Sequence, residues 1–172
     1  MALAGEVKEA QESEQPEEPG EPEAPQSDAP AEYGGEKFEA DIEYVEGIGP
    51  AFGQKLKDVG IFTPKDLLER GATPKGRDEI AESTGISGKL VLEWINHCDL
   101  FRIKGVGSEY ADLLEAAGVD TVVELATRNP ENLYMRIVEV NAEKNLVRQV
   151  PAQSQVEDWI AQAKLLDRVI TY

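Results

Sequence analysis

An internal repeat constrains this chain more than any other feature of its sequence. Asp41-Ile42-Glu43-Tyr44-Val45-Glu46-Gly47-Ile48-Gly49 aligns with Asp99-Leu100-Phe101-Arg102-Ile103-Lys104-Gly105-Val106-Gly107. The register continues through Leu56 with Leu114, Gly60 with Gly118, Ile61 with Val119, Thr63 with Thr121, Leu67 with Leu125 and Arg70 with Arg128. After an insertion around 144–150, Val91 and Trp94 match Val156 and Trp159. Each copy opens with a short apolar segment and a Gly-x-Gly turn. Two glycines two apart let the backbone reverse sharply through conformations closed to other residues. The apolar residue between them, Ile48 or Val106, is placed to plug the gap between the flanking helices.

The punctuation around the repeat is helical. Thr63-Pro64, Thr73-Pro74 and Asn129-Pro130 pair a capping side chain with a proline at the first helical position, where the missing N–H is not needed. Gly60, Gly71, Gly85 and Gly118 stand where helices should stop, in the role of left-handed caps. These signals predict helices over 50–59, 64–70, 74–83, 88–97, 108–117, 121–128, 130–140 and 152–165, with short ones at 42–45 and 100–103. Leu90, Trp94 and Cys98, widened by Val91 and Ile95, make an apolar stripe at helical spacing, and Val156, Trp159, Ile160 and Ala163 make its counterpart. No segment alternates as a strand does. The expected fold is all-α: two tandem units, 41–98 and 99–172, packed as one compact helical domain.

Composition separates this body from what precedes it. Residues 1–40 hold twelve acidic and two basic side chains, five prolines and few large apolar residues. Such a segment cannot offset its ordering entropy, so it is expected to be a disordered acidic tail. It could solubilise the chain, mimic nucleic-acid charge and compete for the body's basic residues, or dock a basic partner. The body carries 22 acidic and 15 basic residues. One cysteine, Cys98, rules out an intrachain disulfide and fits a reducing compartment. The N-terminus lacks the basic start and apolar run of a signal peptide, and no stretch is apolar enough to span a bilayer. A cytoplasmic location and no membrane partner are therefore expected.

Val45-Glu46-Gly47-Ile48-Gly49-Pro50-Ala51-Phe52-Gly53-Gln54-Lys55-Leu56 resembles the helix-hairpin-helix motif, and so does Ile103-Lys104-Gly105-Val106-Gly107-Ser108-Glu109-Tyr110-Ala111-Asp112-Leu113-Leu114. Gly53 and Ala111 match the small residue at which the motif packs closely. Taken whole, residues 41–172 also resemble a microbial domain-of-unknown-function family built on such repeats. The resemblance implies binding of DNA or other nucleic acid without sequence preference, through hairpin N–H groups that hold phosphates and carry no base readout. An open helix N-terminus supports this, because its unpaired N–H groups and dipole favour anions. Carried over, the contacts are Gly47, Ile48 and Gly49, assisted by Lys55 and Lys57, and Gly105, Val106 and Gly107, flanked by Arg102 and Lys104. The acidic body, Glu46, Pro50 and the Ser108-Glu109 pair oppose this reading. The alternative is a protein–protein adaptor or scaffold whose hairpins and apolar end, including Val169, Ile170 and Tyr172, dock a partner.

Other conspicuous residues read as structure. His97 and Cys98 are adjacent, but a metal site needs three or four ligands and the chain has no second His or Cys, so no metal and no cofactor are expected. Trp94 and Trp159 lie on apolar stripes and are expected in the core rather than as base-stacking platforms. Tyr110 could lie beside a bound backbone, although packing is favoured. Glu79, Glu82 and Glu93 read as solvated surface. No spacing suggests a catalytic triad, and the chain is expected not to be an enzyme.

Overall fold

The computed structural model describes residues 35–172, and within them every regular element is helical. The tail expected over 1–40 falls mostly outside the described residues. Its last part does not behave as tail. Glu36–Glu39 forms a short helix, α1, and Phe38 is fully buried. The packed body thus begins before the expected boundary at Asp41.

A 3-10 turn over Ile42–Tyr44 leads into the first Gly-x-Gly reversal. Then follow α2 (Pro50–Asp58), α3 (Pro64–Arg70), α4 (Pro74–Thr84) and α5 (Gly88–Leu100). The second copy contributes α6 (Ser108–Ala116), α7 (Val122–Ala126), α8 (Pro130–Lys144) and α9 (Gln153–Ala163). The expected caps account for the starts. The side chains of Thr63, Thr73 and Asn129 accept from the N–H groups of Asp66, Gly76 and Asn132. Thr63 and Asp66 complete a reciprocal capping box, as do Thr121 and Glu124. Thr121 is therefore a cap and not the first residue of α7.

The ends divide into two kinds. Gly60, Gly85 and Gly118 have φ of +88°, +76° and +95°, as a left-handed cap requires. Gly71, expected to do the same, has φ −104°. It is needed for space, since a Cβ there would run into Ile95 Cδ1. The expected helix over 100–103 is also absent as a separate element. α5 runs on to Leu100 and ends in a turn, so the boundary placed between 98 and 99 lies inside a helix.

The two copies repeat in packing as well as in sequence. α5 lies against α3 and α4, and α9 lies against α7 and α8. The aligned pairs Ile42/Leu100, Val45/Ile103, Ile48/Val106, Leu56/Leu114, Ile61/Val119 and Leu67/Leu125 are all buried. Arg70 donates to Val59 O and Arg128 to Gly118 O, each beneath the left-handed glycine after its helix. The described residues, 35–172, belong to one compact unit. The chain end joins it: Ile170 is buried, Thr171 N–H donates to Ala72 O, and Tyr172 Oη donates to Asn96 Oδ1.

Candidate functional site

Both Gly-x-Gly turns have the same backbone. The first glycine is left-handed, with φ +97° at Gly47 and +98° at Gly105. The middle N–H turns inward: Ile48 N–H donates to Val45 O at 3.0 Å and Val106 N–H to Ile103 O at 3.1 Å. The second glycine is extended and precedes the helix, and its carbonyl accepts from Gly53 N–H or Ala111 N–H. An indole roofs each turn. A Cβ on Gly47 would lie 3.1 Å from Trp94 Nε1, and one on Gly105 would lie 2.9 Å from Trp159 Nε1. The aromatic residue on the following helix completes the stack, with Phe52 5.1 Å from Trp94 and Tyr110 5.4 Å from Trp159 between centroids. The tryptophans are thus core supports of the turns, as their stripes predicted.

The surroundings of the two turns differ. At both, the N–H groups of the second glycine and of the second and third helical residues find no acceptor among the described residues: Gly49, Ala51 and Phe52 at the first, Gly107, Glu109 and Tyr110 at the second. A Cβ on Gly49 would meet nothing within 4 Å. At the second, Ser108 N–H donates to Tyr44 Oη at 3.1 Å, and a Cβ on Gly107 would lie 2.7 Å from that same oxygen. Ser108 Oγ reaches Glu46 Oε1 at 3.5 Å. Behind the turn, Lys37 Nζ donates to Ile103 O at 3.0 Å and to Val106 O at 2.8 Å. Partial burial of this ammonium lowers its pKa to about 8. Gln162 holds both polar groups of the Lys104 peptide. The inserted segment folds alongside, where Tyr110 Oη donates to Gln149 O. A groove of about 610 Å³ is left beside the turn, lined by Tyr44, Glu46, Ser108, Glu109, Tyr110 and Arg148 among others.

The expected contact residues are therefore not equivalent. Ile48 and Val106 are buried, and their N–H groups are used within the turns. Lys57 pairs with Asp41 at 2.8 Å. Arg102 pairs with buried Asp99 at 2.9 Å and donates to Asp167 O. Asp99 also accepts from Val122 N–H, which makes Arg102 part of a structural junction. Lys55 and Lys104 are exposed and form no ion pair among the described residues. Tyr110 packs, as favoured. Of the apolar end, Ile170 is buried and Val169 half-buried, while Tyr172 is 66% exposed. Arg77, itself buried, donates to Thr171 O and lies over the Tyr172 ring.

A second cluster escaped the sequence reading. His97 is 2% exposed, and its Nε2 lies 3.0 Å from Glu115 Oε1. Asp112, one turn earlier on α6, joins them: a ligand atom from each of the three lies within 4.8 Å of the others. Burial first of all raises the carboxyl pKa values of Glu93, Asp112 and Asp120; Glu115 raises each further, and His97 acts on each in the opposite direction. The reading that confined attention to His and Cys passed over carboxylates three apart on a neighbouring helix, a signal too common in an acidic chain to stand out. Cys98, by contrast, is an inert core thiol, its pKa pushed up by burial.

Residues 46–166 match the family described as Domain of unknown function (DUF4332). The chain belongs to that family. In this DUF4332 chain the match runs from the first turn to just beyond α9, so α1 with Lys37 and the closing segment 167–172 lie outside it. No curated protein and no solved structure matches. No helix among the described residues is long and apolar enough to cross a membrane.

Proposed function

We propose that the two Gly-x-Gly reversals are helix-hairpin-helix units, and that this DUF4332 chain is a non-enzymatic module associating with nucleic acid without sequence preference. One observation carries the reading. At the first hairpin the unpaired N–H groups of Gly49, Ala51 and Phe52 open onto clear space beside Gly49, with Lys55 exposed on the same helix, whereas the matching groups of the second hairpin lie beside Tyr44, Glu46 and Glu109. Such a terminus attracts a phosphate oxygen. The second hairpin is the supporting joint. Its first helical N–H is used by Tyr44, its carbonyls by Lys37, and its rim carries Glu46 and Glu109. This departs from a symmetric pair straddling a groove, and it predicts weak, shallow binding.

Salt dependence tests the difference. Fluorescence anisotropy of the full chain should give a log–log slope of about −0.9 with duplex DNA and about −0.7 with single-stranded DNA, because Lys55 is the one cation that neutralises a phosphate at this hairpin. Two engaged hairpins would give about twice that slope. Gly49→Glu should abolish binding, and it can do so without unfolding because the space beside Gly49 is open. Gly107→Glu is unsuitable, since its side chain would displace Tyr44. Absence of binding at low salt rejects the proposal.

The adaptor alternative draws support from α8 as well as from the exposed Tyr172 at the chain end. Met135 is 66% and Val138 38% exposed on α8, beside a groove that Tyr134 and Arg136 also line. Apolar exposure of this kind suits a protein contact. Capture of DNA that survives Met135→Gln and fails with Gly49→Glu would separate the two readings.

A further inference from the structure

We infer that His97, Asp112 and Glu115 form a binding site for a first-row divalent metal ion. The triad offers one imidazole nitrogen and two carboxylate oxygens within 4.8 Å of one another. Two helices hold it. His97 comes from α5, and Asp112 and Glu115 come from one face of α6, three residues apart.

The placement of His97 is hard to account for as packing alone. His97 directs Nε2 at the carboxylates from a position that is 2% exposed, so a ligand-type nitrogen is held at the triad by the packing around its ring. The internal repeat sharpens the point. In the register that pairs Trp94 with Trp159, His97 corresponds to Gln162, whose side chain clamps the Lys104 peptide of its own hairpin. His97 makes no such clamp and faces α6 of the other unit instead. The first unit has thus exchanged a hairpin support for a ligand-type side chain that crosses to two carboxylates.

Charge points the same way. Among the described residues no Lys or Arg forms an ion pair with Asp112 or Glu115, and Glu93 and Asp120 add negative charge nearby. Lys144 offsets part of the charge on Asp112, whose carboxyl pKa is still raised on balance, and a dication would neutralise more of it. The mixed nitrogen and oxygen donors suit Zn²⁺ or Mn²⁺ better than Mg²⁺ or Ca²⁺, which prefer oxygen alone. Three protein donors leave further positions to water.

The chain has a single histidine, so its imidazole can be followed without ambiguity. Zn²⁺ is titrated into the full chain while the ring nitrogens are read by ¹H–¹⁵N NMR, with calorimetry for stoichiometry. The expected result is one saturable equivalent that shifts the coordinating nitrogen. Asp112→Asn with Glu115→Gln should weaken binding by more than about tenfold, the least that loss of even a supporting group removes. An imidazole unmoved by saturating Zn²⁺ overturns the proposal, with no variant required. So does equal Zn²⁺ affinity in the folded double variant, or Mg²⁺ competing on equal terms, since either would reduce the triad to acidic surface.

Discussion

Three glycines with different surroundings respond differently to one added methyl group. Gly49 is extended, with φ −92° and open space where a Cβ would stand. Gly49→Ala should leave stability within about 0.5 kcal/mol, as for an unconstrained surface site. Gly85 also has open space, but its φ of +76° makes the backbone itself the obstacle. Gly85→Ala should cost about 1–2 kcal/mol, the penalty for a left-handed L-residue. Gly71 has an ordinary φ and no room, with Ile95 Cδ1 in the way and Leu67 O at 3.1 Å. Gly71→Ala should cost about 1–3 kcal/mol through overpacking. Urea denaturation of the three variants checks the order. Gly85 was readable in sequence because a left-handed cap follows from local chain geometry. Gly71 was misread because its requirement comes from Ile95, a helix away. The same division runs through the contact residues. The turns were legible from Gly-x-Gly, while the fates of Lys57 and Arg102 depended on Asp41 and Asp99 finding them in space.

At the scale of elements, cap and proline signals set the helix starts, since capping is settled within three or four residues. α1 gave no such signal. Four residues carry no periodicity, and Phe38 sits in acidic, Gly-rich sequence. What orders α1 is distant: Phe38 meets the edge of Phe101 at 6.2 Å between centroids, and Lys37 reaches carbonyls of the second Gly-x-Gly turn. Lys37 makes this contact measurable through pH. Its pKa falls from 10.5 to about 8 on folding, because burial disfavours the charge. Between those values the unfolded chain holds a proton that the folded chain has released. Stability from this group therefore rises with pH across that window, and below it the penalty is constant. The neutral amine keeps two N–H donors for the two carbonyls, so the contact survives its loss of charge. Lys57, whose pKa is raised, acts in the opposite sense. The comparison must therefore be with Lys37→Met. The unfolding free energy of the natural chain minus that of the variant should grow from about pH 8 to pH 10.5. A flat difference would mean that α1 is not held by its lysine.

The whole molecule is less divisible than its repeat suggests. Sequence duplication invites a picture of two units side by side, and the packing of α5 on α3 and α4, and of α9 on α7 and α8, fits it. The junctions do not. α5 carries the chain through the boundary, Tyr44 of the first copy caps α6 of the second, and the chain end returns to the first copy. None of these was visible in the alignment, because repeats reveal what two copies share and the junctions are where they differ. The returning end is the sharpest test. Ile170 is 2% exposed, Thr171 N–H donates to Ala72 O while its carbonyl accepts from the Arg77 guanidinium, and Tyr172 lies against Arg77 and Asn96. Deleting residues 168–172 would forfeit the burial of one Ile, about 1.5–3 kcal/mol. It would also remove the hydrogen bond from Arg77 Nη2 to Thr171 O, about 1.5–3 kcal/mol for a bond to a charged group, while Arg77 Nη1 keeps Gly71 O and Ala72 O. The loss should fall on the body as a unit. Urea unfolding should stay a single transition with a lower midpoint and a nearly unchanged m-value. Two resolved transitions would mean instead that each copy folds alone and that the closing segment merely joins them.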